Sequence, residues 1–269
     1  MNWLTRCIRL TISIALLMSP IVAQGGQVGQ KEWQFELTPY FWLTSVDVDS
    51  TVNGITSNLN MSFSDLWDQF DLYALAGRFE AWKDNKFGLI LDAKFLKMKD
   101  LSTVSSQRPI QVNVDTEFRQ ELIDLGLAYR FKKDLSRGYI LHLDPFVTAR
   151  YSYLKQEIKL RASADGYGGP GTLLGGNESW FDPIVGARLA WIINPKWALA
   201  FRGDVGGFGV GSNLTWDALV VIDWRVVEWG SIKLGYNWYY LDYESGSGRD
   251  KFAYKGHMHG PWLGFTFYF

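Results

Sequence analysis

The sequence holds a single cysteine, Cys7, among 269 residues, so no intramolecular disulfide can form and a cysteine-built metal centre is excluded. Histidine is nearly as scarce: His142, His257 and His259 are the only three. That leaves little material for acid–base catalysis or metal ligation, and no cofactor or metal is expected. The net charge is −1, so nothing electrostatic points to a nucleic-acid partner. Beyond residue 25 no run of 18 apolar residues occurs, which leaves no candidate for a membrane-crossing helix there.

Aromatic residues, by contrast, are plentiful. They make up 16% of the chain, with 13 Trp, 13 Tyr and 17 Phe, far too many for a disordered segment. The N-terminus reads as a secretory signal over residues 1–25. Arg6 and Arg9 precede the short apolar stretch Leu10 to Met18, and Ala23-Gln24-Gly25 offers small residues for cleavage. Its removal takes Cys7 and leaves 25 basic against 28 acidic residues, a charge of −3.

The apolar residues alternate with polar ones, the period of a β-strand. In Ser231 to Tyr243, Ile232, Leu234, Tyr236, Trp238 and Tyr240 share one side, opposite Lys233, Gly235 and Asn237. Leu214, Trp216, Val220, Ile222 and Trp224 stand opposite Thr215, Asp217 and Asp223. The same split recurs around Phe201, Val185, Val147, Leu89 and Phe35. Tight turns at Asp84 to Lys86, Asn194 to Lys196 and Glu228-Trp229 alternate with longer connections, among them the glycine-rich Ala162 to Asn177. No composition shift marks a boundary, so residues 26–269 read as one domain, an array of hairpins.

Ten or more such strands make too wide a cylinder for its apolar face to fill, since about 8 just enclose a side-chain core. The apolar face is therefore expected to meet lipid. Trp191, Trp197 and Trp224 crowd beside tight turns, as an interfacial belt would, and a closed barrel satisfies its backbone without water. The fold expected is an all-β transmembrane antiparallel up-and-down β-barrel. Ten strands are clear; Asn53-Gly54 is a two-residue hairpin signal that favours twelve, or else an extracellular hairpin on a barrel of ten. Ser64 to Phe70 reads as a short helix on the rim.

The chain closes on Gly264, Phe265, Phe267 and Phe269. This pattern resembles the C-terminal assembly signal of bacterial outer-membrane β-barrels, a glycine followed by alternating apolar residues ending in Phe. Trp262 departs from it where a polar residue is usual. The segments 203–212 (GDVGGFGVGS) and 182–188 (DPIVGAR) also resemble stretches of a group of outer-membrane barrels, a likeness that carries no activity. The resemblance implies short periplasmic turns, long external loops, outer-membrane lipid and lipopolysaccharide as surroundings, and the barrel-assembly machinery as partner.

The inward charges are the most informative polar feature. Asp144-Pro145-x-Val147-x-Ala149-Arg150 and Asp182-Pro183-x-Val185-x-Ala187-Arg188 share one pattern. A register centred on residue 166 sets Asp144 opposite Arg188 and Arg150 opposite Asp182. Similar registers pair Arg78 with Asp92 and Asp223 with Lys233. Such pairs stabilise a sheet modestly and compensate charge in a narrow lumen. Two readings stay open: a narrow passive channel, or a structural barrel with a salt-bridged lumen. An outer-membrane lipid- or lipopolysaccharide-modifying hydrolase, or an adhesion barrel, is the alternative. No histidine sits in a nucleophile motif, so an enzyme is not expected. The run Gly206 to Gly211 has no helix after it and fails as a phosphate loop; glycine there is expected to let strands bend at a barrel corner.

Overall fold

The computed structural model describes residues 32–52, 55–62, 73–105, 110–164, 167–168 and 172–269. The signal at 1–25, Asn53-Gly54 and the Ser64 to Phe70 stretch lie outside them. Fourteen strands appear in chain order: β1 (Trp33–Trp42), β2 (Ser45–Val52), β3 (Ile55–Met61), β4 (Tyr73–Lys83), β5 (Phe87–Ser105), β6 (Ile110–Tyr129), β7 (Phe131–Asp134), β8 (Ile140–Ala164), β9 (Tyr167–Gly168), β10 (Thr172–Asn194), β11 (Trp197–Gly207), β12 (Leu214–Val227), β13 (Gly230–Ser245) and β14 (Phe252–Tyr268). Ten of them, β1, β4, β5, β6, β8 and β10 to β14, pair antiparallel in one ring. The ring closes where β1 meets β14, from Glu36 opposite Tyr268 to Trp42 opposite Trp262. The last residue joins the seam: Phe269 N–H donates to Phe35 O (3.1 Å), and Phe35 N–H returns the bond (3.0 Å).

The two further strands expected around Asn53-Gly54 exist, but they form an outside hairpin. β2 continues the line of β1 along β14, and β3 folds back on β2. The reason is chemical: Asp47 and Asp49 stand exposed on the outer side of β2, opposite the buried Val46 and Val48. Carboxylates on the outer face cannot lie in hydrocarbon, so the hairpin stands above it. The connection expected at Ala162 to Asn177 is shorter than its glycines imply, because β8 runs to Ala164 and β10 begins at Thr172. The Gly206 to Gly211 run does not bend a strand at a barrel corner. It ends β11 and forms the turn into β12, where Gly207 takes φ +87° and Gly209 +75°, a conformation that glycine adopts freely.

Outward-facing apolar residues meet the surroundings, not a core: Ile222 is 51% exposed and Leu234 58%. Rings gather at the level of the tight turns. Trp197 stacks on Trp224 at 5.7 Å, and Tyr139 meets Trp191 edge-on at 5.7 Å. A second belt, with Tyr151 against Phe181 and Trp216 against Tyr240, lies toward the other end. On β10, Phe181 and Trp191 are ten residues apart, about 34 Å of strand, or about 25 Å of height at barrel tilt. That height matches the apolar band of a membrane barrel. Phe265, Phe267 and Phe269 belong to this outer face, while Gly264 is buried beneath the ring of Trp262. The indole lies where a Cβ on residue 264 would be, which accounts both for the glycine and for the tryptophan two residues before it.

Above the upper belt the pattern inverts. On β6 the outward row reads Leu127, Leu125, Ile123 and then Glu121, Arg119; the inward row reads Asp124 and then Leu122, Gln120, Phe118. On β8 the inward row passes from Arg150 to Leu154, and the outward row from Val147 to Lys155. Parity never changes; polarity does. Below the belt the barrel is apolar outside, and above it the barrel is apolar inside, like a soluble protein.

Candidate functional site

The inverted upper half encloses an apolar core. Val46, Val48, Phe118, Leu122, Leu154 and Trp180 pack with Tyr239, Leu241, Tyr254 and Met258 in one buried cluster, and Trp180 stacks on Tyr243 at 3.6 Å. The turn between β11 and β12 is tied down over it. Ser212 donates through its backbone N–H and its hydroxyl to Asp182 (2.7 and 2.9 Å), and Trp180 Nε1 donates to the same carboxylate (2.9 Å).

Beneath this core lies a charged layer. Arg150 has no exposed surface. Its Nε donates to Asp124 Oδ1 (2.7 Å), Nη2 to Asp204 Oδ1 (3.2 Å) and Nη1 to Thr215 Oγ1 (3.2 Å). Lys94 Nζ meets Asp217 at 2.6 Å. Arg78 Nε donates to Asp92 at 2.7 Å, and the Tyr40 hydroxyl donates to the other oxygen at 2.7 Å. Arg202 reaches Asp204 at 3.4 Å. The layer thus sets Arg78, Lys94, Arg150 and Arg202 against Asp92, Asp124, Asp204 and Asp217, four cations to four carboxylates. Equal numbers are what a poorly solvated interior requires, since an unpaired charge there is costly.

A third layer faces the periplasmic rim. Arg188 bridges Asp144 (2.8 Å) and Glu80 (2.8 Å). Arg130 grips the same Asp144 (2.9 Å) and lies 3.8 Å over the Trp82 ring, a well-placed cation–π contact. Lys233 reaches Asp223 at 3.4 Å. These groups surround a cavity of about 320 Å³, lined also by Glu36, His142 and Tyr268 and reaching the turn at Asn194 to Lys196.

The strands place Asp144 opposite Arg188 and Arg150 opposite Asp182, Arg78 opposite Asp92 and Asp223 opposite Lys233. Three of these facing pairs are also ion pairs. The fourth is not: Arg150 turns to Asp124 and Asp204, while Asp182 is taken by Ser212 and Trp180. Every strand has two neighbours, and hairpin arithmetic sees only one. Asp124 faces Arg150 from β6, so the arginine has a carboxylate on its other flank and Asp182 is left to hold the turn. Glu80, Lys94, Asp124, Arg130, Arg202, Asp204 and Asp217 join the network without having been assigned a partner from the sequence. Their inward parity was the signal for all but Arg130, which sits in a break between β6 and β7.

The histidines are scattered. His142 opens on the cavity. His257 lies outside between Trp216 and Tyr240, with ring centroids at 6.0 and 4.6 Å. His259 Nδ1 meets the Tyr236 hydroxyl at 2.7 Å. Among the described residues no group of three His, Cys, Asp or Glu could hold a metal ion.

No protein-family model matches the chain, and no curated protein matches it in sequence. Solved structures do resemble it. The outer membrane protease OmpT from Escherichia coli aligns with a TM-score of 0.54 at 10% identity, covering 91% of this chain and 99% of that one. The translocator domain of the autotransporter NalP from Neisseria meningitidis gives 0.39 at 11%, over 99% of each chain. Ail of Yersinia pestis gives 0.38 at 11%, over 89% of this chain and 100% of its own. The likeness to OmpT is one of architecture alone. With its closed ring, its lipid-facing apolar band and its two aromatic belts, this chain has the fold of a bacterial outer-membrane β-barrel.

Proposed function

We propose that the protein is an outer-membrane barrel shut at rest, a structural barrel with a salt-bridged lumen and no standing passive channel. One observation supports this reading: two layers stand in succession across the lumen, the four-on-four charged layer and the apolar core above it. Open aqueous pores belong to rings of about 16–18 strands, and this ring has ten. The cavity near the periplasmic rim is then a dead end and not the mouth of a pore.

Planar-bilayer recording of the refolded chain from residue 26 onward tests the proposal. Wild type is expected to give no conductance steps, and steps are expected only when both seals are cut, as in Arg150→Ala with Leu154→Ala and Trp180→Ala. Reproducible steps from wild type would return the narrow-channel reading. Hydrolysis of phospholipid or lipopolysaccharide, abolished by substituting His142, His257 or His259, would replace both with an enzyme.

A further inference from the structure

The cavity at the periplasmic rim owes its room to two strands. The inward rows of β10 and β11 end there in Ala190, Ala198 and Ala200, whereas Trp82 on β4, across the barrel, is fully buried. The space of about 320 Å³ is about ten waters' share of liquid volume, room for a ligand of about ten heavy atoms. The chain enters β1 on the far side from the alanines, where Glu32 O accepts from Asp84 N–H in the β4–β5 turn (2.8 Å).

Most of the charges that line this space already have a partner. Arg188 holds Glu80, Arg130 holds Asp144, Lys233 holds Asp223, and Arg78 and Arg202 belong to the four-on-four layer. Three do not. Glu36 is partly exposed, Lys196 and Arg225 are exposed, and the charged end of none of them meets a hydrogen-bond or ion-pair partner among the described residues. These three also converge. Arg225 N–H donates to Lys196 O at 2.8 Å, so the two cations are neighbours. Tyr268 faces Glu36 across the β1–β14 seam, and the Arg225 guanidinium lies 4.2 Å over the Tyr268 ring. The carboxylate and the guanidinium thus flank one aromatic ring, with Lys196 beside Arg225.

One unpaired carboxylate and two unpaired cations define a complement: one ammonium and two carboxylates. We infer that the cavity binds a small acidic amino acid from the periplasm. Its ammonium meets Glu36, its two carboxylates meet Arg225 and Lys196, and its carbon chain lies along the alanine wall. Each contact is a charge-assisted hydrogen bond, the stronger kind, and together they extend to the rim the one-to-one balance kept deeper in the lumen. A plain dicarboxylate leaves Glu36 unmatched, and an amine with a single carboxylate leaves one cation unmatched. The inference goes beyond the shut-barrel reading and does not rest on it, because the three groups line the cavity whether or not the lumen conducts.

Isothermal titration calorimetry of the refolded chain from residue 26 onward, in micelles at low salt, decides it with three probes. L-glutamate carries both kinds of group, glutarate lacks the ammonium, and 4-aminobutyrate lacks one carboxylate. Wild type is expected to bind L-glutamate saturably and each of the other two roughly tenfold more weakly, the worth of one charge-assisted contact. Glu36→Gln is expected to level glutamate with glutarate, and Arg225→Gln with Lys196→Gln to level glutamate with 4-aminobutyrate. Heat-modifiable gel mobility reports that each variant has folded. If a variant fails to fold, the order of the three probes on wild type decides alone. No saturable binding of glutamate, equal binding of all three probes by wild type, or an order that survives both sets of substitutions would overturn the inference.

Discussion

Arg150 shows what a buried charge demands of its neighbours. With no exposed surface and carboxylates from β6 and β11 on its guanidinium, it cannot be removed without leaving Asp124 and Asp204 short of a counter-ion. Arg150→Ala is therefore expected to cost about 3–5 kcal/mol, read as a lower urea midpoint for the refolded barrel in micelles. Replacing the whole group with apolar residues (Arg150→Met, Arg202→Met, Asp124→Leu, Asp204→Leu), which removes two cations with two carboxylates, is expected to recover most of that loss. A stability loss in the quadruple variant as large as that of the single one would show that the charges do more than balance each other. At this scale the sequence was partly legible. The repeated Asp-Pro-x-Val-x-Ala-Arg stretch gave the register of β8 on β10, because a hairpin's centre fixes which residues face. It could not say which of two flanking strands a long arginine would choose.

Each strand carries a change of sign along its length. On β6 the outward row is apolar from Leu127 to Ile123 and charged at Glu121 and Arg119, so the same substitution should behave differently a few residues apart. Leu125→Arg, in the hydrocarbon, is expected to cost about 2–4 kcal/mol, while Glu121→Leu above it should change the unfolding midpoint little. Comparable losses from both would place the membrane boundary elsewhere. The turn after β11 makes a second test. Asp182→Ala removes the acceptor of Ser212 and Trp180, so amide exchange at residues 207–213 should quicken while the strand amides below stay protected. Unchanged exchange in that turn would mean that the glycines alone hold it. Strand existence was legible wherever apolar residues alternate outward. The inverted upper halves were not, because a pattern of opposite sign reads as the end of one strand and not as its continuation. For the same reason β2 and β3 looked eligible for the membrane until the outward position of Asp47 and Asp49 was known.

The whole molecule is two environments stacked on one continuous sheet: a membrane barrel whose charges face inward, and above it a water-facing barrel whose apolar residues do. Because Cys7, the only cysteine, lies outside the described barrel, spin labels can be placed singly on a Cys7→Ser background in liposomes. The direct test compares labels at Leu125, Ile222 and Leu234 with labels at Arg119 and Lys155. The first three are expected to be reached by molecular oxygen and sheltered from a water-soluble nickel chelate, and the last two to show the reverse. Nickel access at positions 125, 222 and 234, or oxygen-dominated relaxation at 119 and 155, would contradict the division on which the account stands.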